Sequence, residues 1–335
     1  MMDNWLEKLP QISHAAAREA VTSAFGAISI LSIDPVLGGA SGALTFRLGV
    51  HDRSYLLRME TSRSPLRNPH QYACMRIAAE AGIAPPLRYI SDDAGVVIMD
   101  FVPGRPLSAY PRGPAGLVNA LGQLAAQLQA TAAFPVLGDY RAFLGRMLNH
   151  IKSRFAPGLL DEHVECFQRI RAAYPWDSSQ YVSSHNDPNP RNIIFDGEKL
   201  WLIDWETSYC NDSLTDIAIL AENHATTAEL EQELLTTWSG RAPDRVMRAK
   251  LRVMRQLTRL YYAGFLVGFA TELSEPIADL GAPTPDEFRA GIASGELKPV
   301  ALETKIILGK MCLAAVLAEL RTSGFEEALT VCNSG

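Results

Sequence analysis

The chain has 335 residues, of which 47% are hydrophobic and 20% are charged, and its formal net charge at pH 7 is −6. A chain of this length exceeds the usual size of a single hydrophobic core, so we expect two lobes of an ordinary globular protein. The acidic balance and the lack of any Lys/Arg block argue against nucleic acid as a partner.

The spacing of the cysteines and the length of the apolar segments indicate in which cellular compartment the protein is expected. The cysteines are odd in number and show neither a Cys-x-x-Cys pair nor a Cys/His metal spacing, which predicts reduced thiols; they are Cys74, Cys166, Cys210, Cys312 and Cys332. The N-terminus lacks the basic start and apolar core of a signal peptide, and no apolar run reaches transmembrane length. We therefore expect a soluble, cytoplasmic protein with no membrane partner; the sequence leaves its oligomeric state open.

The first hundred residues predict one helix followed mainly by strands. Ser13 is a candidate N-cap for a helix over 15–25, and Gly26 ends that helix. Gly82 is a fitting end for a second helix. The predicted strands are 28–36, 44–50, 55–59, 87–90 and 96–101, and the second helix is 69–81.

A run of small residues lies between the first two predicted strands, and it contains Gly38, Gly39, Ser41 and Gly42. Kinases cover the phosphates of ATP with a strand–glycine loop–strand unit, because small residues let backbone N–H groups approach the oxygens. The Ser41 hydroxyl could add a further donor. An ordinary hairpin turn is the alternative interpretation of the same residues.

The Pro/Gly-rich segment 102–114 is the best candidate for a domain boundary. It predicts an N-lobe over 1–102 and a C-lobe over 103–335. The C-lobe should be mostly helical, because apolar residues recur at helical spacing. The predicted helices are 115–132, 140–155, 161–173, 213–222, 228–238, 244–273 and 302–321.

One polar stretch, 183–206, interrupts the helical region with the sequence SSHNDPNPRNIIFDGEKLWLIDWE. Two short apolar runs, 192–195 and 200–203, flank the turn-forming pair Asp196-Gly197. This pattern predicts a β-hairpin.

The predicted hairpin should bring its outer ends together. Asn192 and Asp204 would then face each other, with Asp187 in the preceding loop above them. Two carboxylates and an amide oxygen are hard ligands suited to Mg²⁺, which also takes phosphate oxygens. A loop Asp beside such a metal can orient or deprotonate a hydroxyl nucleophile, so the arrangement indicates phosphoryl transfer.

The segment His185-Asn186-Asp187, followed by Asn192 and then by Ile203-Asp204-Trp205-Glu206, resembles the catalytic loop and metal-binding Asp of the aminoglycoside phosphotransferase and choline/ethanolamine kinase families. The spacing from Asp187 to Asn192 matches the general kinase pattern. The resemblance implies an α+β, bilobal, protein-kinase-like fold, with an antiparallel sheet in a small N-lobe and a larger, mostly helical C-lobe. It also implies ATP and Mg²⁺ as cofactors and an alcohol group of a small molecule as acceptor.

The same resemblance assigns roles to single residues. It makes Asp187 the catalytic residue and Asn192 and Asp204 the Mg²⁺ ligands. Residues expected to bind the nucleotide are Gly38, Gly39, Ser41, Gly42 and Arg58 around the phosphates, Met99 in the adenine pocket, and the backbone of Asp100 to Val102 at the adenine edge. A solvent-facing Arg58 and a plain buried edge strand at 96–101 are the alternatives.

Gln71 departs from the family pattern. The family places a Glu on the second helix to pair with the strand cation, and the corresponding position here holds Gln71. Glu80 lies about half a turn away around the helix and cannot serve from the same face. We expect the Gln71 carbonyl to accept from Arg58 instead.

The acceptor predicted from His-Asn-Asp and Ile-Asp-Trp-Glu is choline- or ethanolamine-like. Aromatic rings could cage a quaternary ammonium, with Glu206 adding charge, although rings at helical spacing are also typical of plain core; the candidates are Trp205, Tyr209, Trp238, Tyr261, Tyr262, Phe265 and Phe269. The alternative is an aminoglycoside or amino sugar gathered by carboxylates, with candidates Glu222, Glu229, Glu231, Glu233 and Glu272.

Two hypotheses from other classes remain open. Gln71 is compatible with a nucleotide-binding pseudokinase that catalyses no transfer. His185, Asp187, Asp204 and His224 could instead form a metal hydrolase, although such sites usually hold more His ligands at short spacing.

Overall fold

The structure is a computed structural model, and it describes residues 4–27, 30–36, 43–60, 67–268 and 275–334. The chain divides into two compact units, one of Met1–Leu137 with Val182–Cys210 and the other of Gly138–Tyr181 with Asn211–Gly335. The first unit therefore contains both the predicted nucleotide-binding strands and the predicted catalytic stretch. The lobe boundary at residue 102 stays a prediction.

The first unit is built on a five-stranded antiparallel sheet with strand order β1-β2-β3-β5-β4. Its elements up to the sheet's last strand are α1 (His14–Phe25), β1 (Ser32–Pro35), β2 (Leu44–Val50), β3 (Arg53–Met59), α2 (Gln71–Glu80), β4 (Leu87–Ser91) and β5 (Val96–Asp100). The antiparallel sheet confirms the strand predictions in this part of the chain.

Buried and more accessible side chains alternate along β2 and β3, so the sheet buries one of its faces. Leu48 in β2 lies opposite Tyr55 in β3, and both belong to a buried cluster that also contains Ala17 and Val21 of α1. Burying a side chain such as Leu57, which is fully inaccessible, contributes about 1.5–3 kcal/mol. The buried side chains of the strands, at every second position, and the apolar face of α1 thus form one core.

Ser13 lies at the predicted N-cap position of α1, but the prediction that it caps the helix is wrong. The Ser13 side chain makes no capping hydrogen bond, and its backbone is already helical, with φ −91° and ψ −8°. The reason is that a short 3₁₀ turn, Gln11–Ser13, leads directly into α1. A residue inside such a continuous turn does not have the extended backbone that a capping side chain needs.

Besides short 3₁₀ turns, the rest of the first unit contains one α-helix and three short strands, and a fourth strand crosses the unit's end. They are α3 (Gly113–Gln129), β6 (Val182–Ser184), β7 (Ile193–Phe195), β8 (Leu200–Leu202) and β9 (Tyr209–Asn211). The strand β6 pairs with β9, and β7 pairs with β8. The predicted inward positions of α3, from Leu117 to Leu128 at helical spacing, are buried.

The second unit is helical. Its helices are α4 (Tyr140–Lys152), α5 (Asp161–Ala173), α6 (Leu214–His224), α7 (Ala228–Ser239), α8 (Arg245–Gly268), α9 (Pro285–Ser294), α10 (Leu302–Leu320) and α11 (Ser323–Ser334). The long helix α8 is central, because α4, α6, α10 and α11 all pack against it. Close packing depends on small residues: a Cβ at Gly309 of α10 would lie 2.6 Å from the Val267 side chain.

The mixture of one antiparallel sheet with many helices confirms the predicted α+β class. The cysteines of the described chain form no disulfide bonds. Of the helices in the described ranges, none is both long and apolar enough to cross a bilayer.

Candidate active site

The hairpin β7–β8 brings the predicted metal ligands together. Ile193 lies opposite Leu202, and beyond this pair the Ile203 N–H donates to the Asn192 carbonyl at 3.0 Å. Asn192 therefore sits across from Ile203, whose next neighbour in the chain is Asp204. The prediction that the outer ends of this hairpin converge is confirmed.

The hairpin turn is stabilised by one carboxylate. Asp196 Oδ1 accepts from the backbone N–H groups of Glu198 (2.7 Å) and Lys199 (2.8 Å), and Oδ2 accepts from Trp201 Nε1 at 2.7 Å. Burial acts to raise the pKa of Asp196, but these hydrogen bonds outweigh it and the pKa lies below the ordinary value. Gly197 has φ +109°, a conformation that L side chains rarely adopt.

Two amides hold the predicted catalytic carboxylate. Asn189 Nδ2 donates to Asp187 Oδ1 at 2.8 Å, and Asn192 Nδ2 donates to Asp187 Oδ2 at 3.1 Å and to the Asp187 carbonyl at 2.9 Å. The half-buried Asp187 is thereby fixed in orientation. Because the Asn192 nitrogen binds Asp187, the oxygen is the atom of this amide that could coordinate a cation. Asn189 is a site residue that sequence reasoning missed.

The residues before Asp187 anchor the loop to the segment after Asp204. His185 Nε2 lies 2.9 Å from the Ile203 carbonyl and donates to it, and the ring packs 4.7 Å from that of Trp205. Burial lowers the pKa of His185 to about 4, so the ring is neutral at pH 7. Asn186, with a left-handed φ of +62°, donates through Nδ2 to the carbonyls of Thr207 and Tyr209. A neutral ring bonded to backbone is a structural brace.

Asp204 has an unusual backbone and an unusual environment. Its φ of +66° and ψ of +70° lie in the left-handed region, which non-glycine residues seldom occupy. The residue is open to solvent on one side. Surrounding protein nevertheless desolvates the carboxylate and raises its pKa above the ordinary value, an effect that the positive charge of Arg58 partly offsets.

Arg58 pairs with Glu206, which corrects the expected partner. The Arg58 Nη2 group donates to Glu206 Oε1, and the arginine side chain is only 12% exposed. Gln71, expected to accept from Arg58, instead donates through Nε2 to Glu60. Glu206, expected to add charge to an ammonium cage, is thus the counter-ion of the strand cation.

Glu60 organises the contact between β3 and α2. Its carboxylate accepts from Gln71, from the Tyr72 hydroxyl at 2.9 Å, and from Arg67 Nε at 2.7 Å. In the family pattern the acid lies on the helix and the cation on the strand. Here the acid, Glu60, directly follows the strand, and the helix supplies the amide of Gln71 and the phenol of Tyr72. Hydrogen bonds to a carboxylate therefore still join α2 to β3, although the acid is not on the helix.

The other predicted nucleotide residues are only partly described. Gly38, Gly39, Ser41 and Gly42 lie outside the described residues. Met99 is buried in β5, and Asp100 forms an ion pair with Arg88 at 2.6 Å.

Backbone hydrogen bonds within the protein already use two of the N–H groups predicted to contact adenine. The N–H groups of Asp100 and Phe101 donate to the Pro86 and Ser54 carbonyls at 2.9 and 3.1 Å. Adenine contacts from this segment would therefore come from carbonyl groups and the Val102 amide.

The donor set of the site fits Mg²⁺ better than a softer metal. Asn192 and Asp204 offer an amide oxygen and an accessible carboxylate, which suit a hard cation that takes its other ligands from water and phosphate. In the described ranges, no three His, Cys, Asp or Glu side chains converge as a metal cluster. His185 is occupied by the Ile203 carbonyl, so the residues of the hydrolase hypothesis do not assemble into a His-rich site.

This arrangement fits a phosphotransferase, and a comparison of the sequence with family models shows that class. A sequence model of the phosphotransferase enzyme family (APH) matches residues 32–251. The match covers more than half of the chain, and the chain belongs to this family. No curated protein matches the chain significantly.

Solved structures share the fold at low sequence identity. A choline/ethanolamine kinase family protein from Mesorhizobium loti is 20% identical with a TM-score of 0.69, over 97% of this chain and 100% of its own. A choline kinase from Cryptosporidium parvum is 12% identical with a TM-score of 0.64, over 90% and 92% of the two chains. A spectinomycin phosphotransferase in complex with ADP and spectinomycin is 12% identical with a TM-score of 0.58, over 88% and 98%.

Proposed function

We propose that the protein is an ATP- and Mg²⁺-dependent small-molecule kinase that phosphorylates a hydroxyl of a small, cationic acceptor of the choline or ethanolamine type. The observation that carries the proposal is the Asp187 carboxylate, held by two amides beside the Asn192–Asp204 pair. A fixed carboxylate adjacent to hard metal ligands is what in-line transfer to a hydroxyl requires.

Asp187 acts on the acceptor. Its carboxylate accepts a hydrogen bond from the acceptor hydroxyl and takes the proton as the oxygen attacks. The amides of Asn189 and Asn192 keep both carboxylate oxygens in place, so little reorganisation is needed at the moment of transfer.

Asn192 and Asp204 would hold Mg²⁺ through their side-chain oxygens. When bound, the Mg²⁺–ATP complex supplies the transferable phosphoryl group and neutralises its charge. Arg58 would contact a phosphate with the N–H groups that Glu206 does not use, because a guanidinium carries five donors. Ser41 and the glycines at 38, 39 and 42 belong to the same proposal, as does an adenine pocket at Met99, Asp100 and Val102.

A cationic acceptor of the choline type is supported by the fold that the chain shares with choline kinases. Of the predicted cage candidates in the first unit, Trp205 is buried against Phe134 and belongs to the core rather than to a cage. The candidates Tyr261 and Phe265 pack together within the second unit, with centroids 6.4 Å apart and an interplanar angle of 18°.

An aminoglycoside or amino-sugar acceptor is the second candidate, supported by the fold shared with a spectinomycin phosphotransferase. Two of the five candidate carboxylates for such a polycation, Glu222 and Glu231, form ion pairs with arginines. Arg259 binds Glu222 through two nitrogens, and Arg255 lies 2.9 Å from Glu231. These ion pairs leave fewer of the candidate carboxylates available to a polycation.

An acceptor screen tests the proposal. ADP release would be measured with ATP and Mg²⁺ against choline, ethanolamine, aminoglycosides, amino sugars and homoserine. We expect a choline- or ethanolamine-like molecule to give the highest kcat/KM. Nucleotide binding without acceptor-dependent ADP release from any of them would favour the pseudokinase hypothesis.

Two substitutions then test the roles of the residues. Asp187→Asn should lower kcat by about 10²–10⁴ while nucleotide binding is kept, and Asp204→Ala should abolish turnover. Asp52→Asn, an exposed carboxylate of the same unit, is the matched control. Near-normal phosphorylation by Asp187→Asn would contradict the assigned role.

A further inference from the structure

The second unit contains a cavity that the phosphotransfer site does not use. Its volume is about 680 Å³, within the range of small-molecule sites, and it is lined by α7, α8 and the α10–α11 region. None of the predicted catalytic, nucleotide or metal residues lines it, although Glu231, a candidate carboxylate for the alternative acceptor, does. The proposed phosphotransfer therefore does not explain which residues line this cavity.

One wall of the cavity is a stripe of guanidinium groups. Arginines recur along α8 at intervals of three and four residues, which places them on a single helix face about 21 Å long. All of them line the cavity: Arg245, Arg248, Arg252, Arg255 and Arg259. Like charges at this spacing repel one another, so the stripe reduces the stability of an isolated helix.

The carboxylates around the stripe do not balance it. The lining holds five arginines against three glutamates, an excess of two positive charges, and the glutamates are Glu231, Glu319 and Glu327. Glu222 also contacts the stripe, which still leaves an excess of one. The whole chain carries a net charge of −6, so the cavity has the opposite sign to the molecule.

Two arginines have donors that the protein satisfies poorly. Arg248 donates to the neutral Gln232 and lies 3.8 Å from Glu231, which is also the partner of Arg255 at 2.9 Å. The Nε atom of Arg255 is buried and forms no hydrogen bond among the described residues, although Glu222 lies 3.9 Å from it. Arg248 has a side chain that is 39% exposed, so its remaining N–H groups can reach an external acceptor, and Arg255 adds positive charge beside it.

We propose that this cavity binds a small, multiply charged anion with phosphate or carboxylate groups. Guanidinium groups match the geometry of both and bind them through paired hydrogen bonds. The bound anion compensates the excess charge of the stripe and accepts from Arg248. This site is independent of the phosphotransfer chemistry proposed above.

Calorimetric titrations with inorganic pyrophosphate and with citrate test the site and separate the two chemistries. Arg248→Gln should weaken binding about tenfold, the loss of one charge-assisted hydrogen bond. Glu231→Gln should tighten it, because a competing carboxylate is removed. Arg169→Gln, which affects an exposed ion pair with Glu326 in the same unit, is the matched control and should leave binding unchanged.

Opposite shifts from Arg248→Gln and Glu231→Gln would support the site, since a purely structural ion-pair network predicts no anion binding in either variant. Arg58→Gln identifies pyrophosphate bound at the nucleotide site instead. Binding that is lost in Arg58→Gln and kept in Arg248→Gln would overturn the proposal. Absence of binding by both probes to the folded wild-type protein would overturn it as well.

Discussion

Asp204 carries two local costs that its proposed role explains. Its backbone is left-handed, and the surrounding protein desolvates its carboxylate. Such costs concentrate at functional sites, where a charged group must wait for a ligand. Asn is the natural probe, because it is similar in shape and is one of the residues that tolerates a left-handed backbone.

We predict that Asp204→Asn raises the melting temperature at pH 7 while it abolishes activity. The folded protein raises the pKa of Asp204, so the protonated form is the better accommodated one. The associated stability is complete below the unfolded pKa and is lost as pH rises through the folded pKa. The variant should therefore match the wild type in acid and exceed it near neutrality, as measured by thermal melts across pH. A variant less stable than the wild type at pH 7 would contradict this account.

Arg58 and Glu206 permit a second prediction at the scale of residues. Glu206→Gln leaves a mostly buried guanidinium without its counter-ion, which should cost about 1–3 kcal/mol of unfolding free energy. We also expect a higher KM for ATP, because Arg58 loses the group that positions it. Urea denaturation and steady-state kinetics measure the two effects. The control is Asp286→Asn, which removes a fully exposed partner of Arg289 and should change stability by less than about 0.5 kcal/mol.

At the scale of elements, the hairpin β7–β8 positions the site residues, and its turn holds the two strands in register. Asp196 accepts three hydrogen bonds in its turn, and the strands then place Asn192 next to Ile203 and Asp204. A loosened turn should therefore reduce both stability and turnover.

Asp196→Ala should destabilise the protein by about 1–3 kcal/mol at pH 7 and lower kcat. The folded pKa of Asp196 is depressed, so its stabilising contribution is present above the unfolded pKa and is lost as pH falls through the folded pKa. Urea titrations at pH 7 and pH 3 measure the difference. An equal loss at both pH values would show that charge-assisted bonding in the turn is not the cause.

The sequence predicts elements well where the signal is local. The hairpin followed from Asp196-Gly197 between apolar runs, and β2 from alternation over 44–50. The helix α9 was not predicted, although Thr284, Pro285 and Glu287 form a capping box with Pro at the first turn, a signal that was available.

The partner of Arg58 illustrates what local patterns cannot supply. Glu206 lies 148 residues further along the chain, and only the folded unit shows that it, rather than Gln71, provides the acid. Asn189 was missed for a related reason, since an Asn in a polar loop has no periodic signature. The chemistry of Asp187, Asn192 and Asp204 was predictable because their spacing is itself the motif.

At the scale of the whole molecule, the chain passes between the two units three times, yet the proposed metal and nucleotide residues all belong to the first. A ligand that binds only the folded state stabilises it by mass action, by about 2.7 kcal/mol at a concentration of 100 Kd. Nucleotide and Mg²⁺ should therefore act on thermal stability even without an acceptor.

We predict that a non-hydrolysable ATP analogue with Mg²⁺ raises the melting temperature, and that EDTA removes the part of the rise that depends on the metal. In Asp204→Ala the metal-dependent part should vanish, because the accessible carboxylate is gone, while the contribution of nucleotide alone persists through Arg58. Differential scanning fluorimetry with and without EDTA separates the two contributions. Asp52→Asn should behave like the wild type. A full Mg²⁺-dependent rise in Asp204→Ala would place the metal on other ligands, and Asp204 would then need a different role.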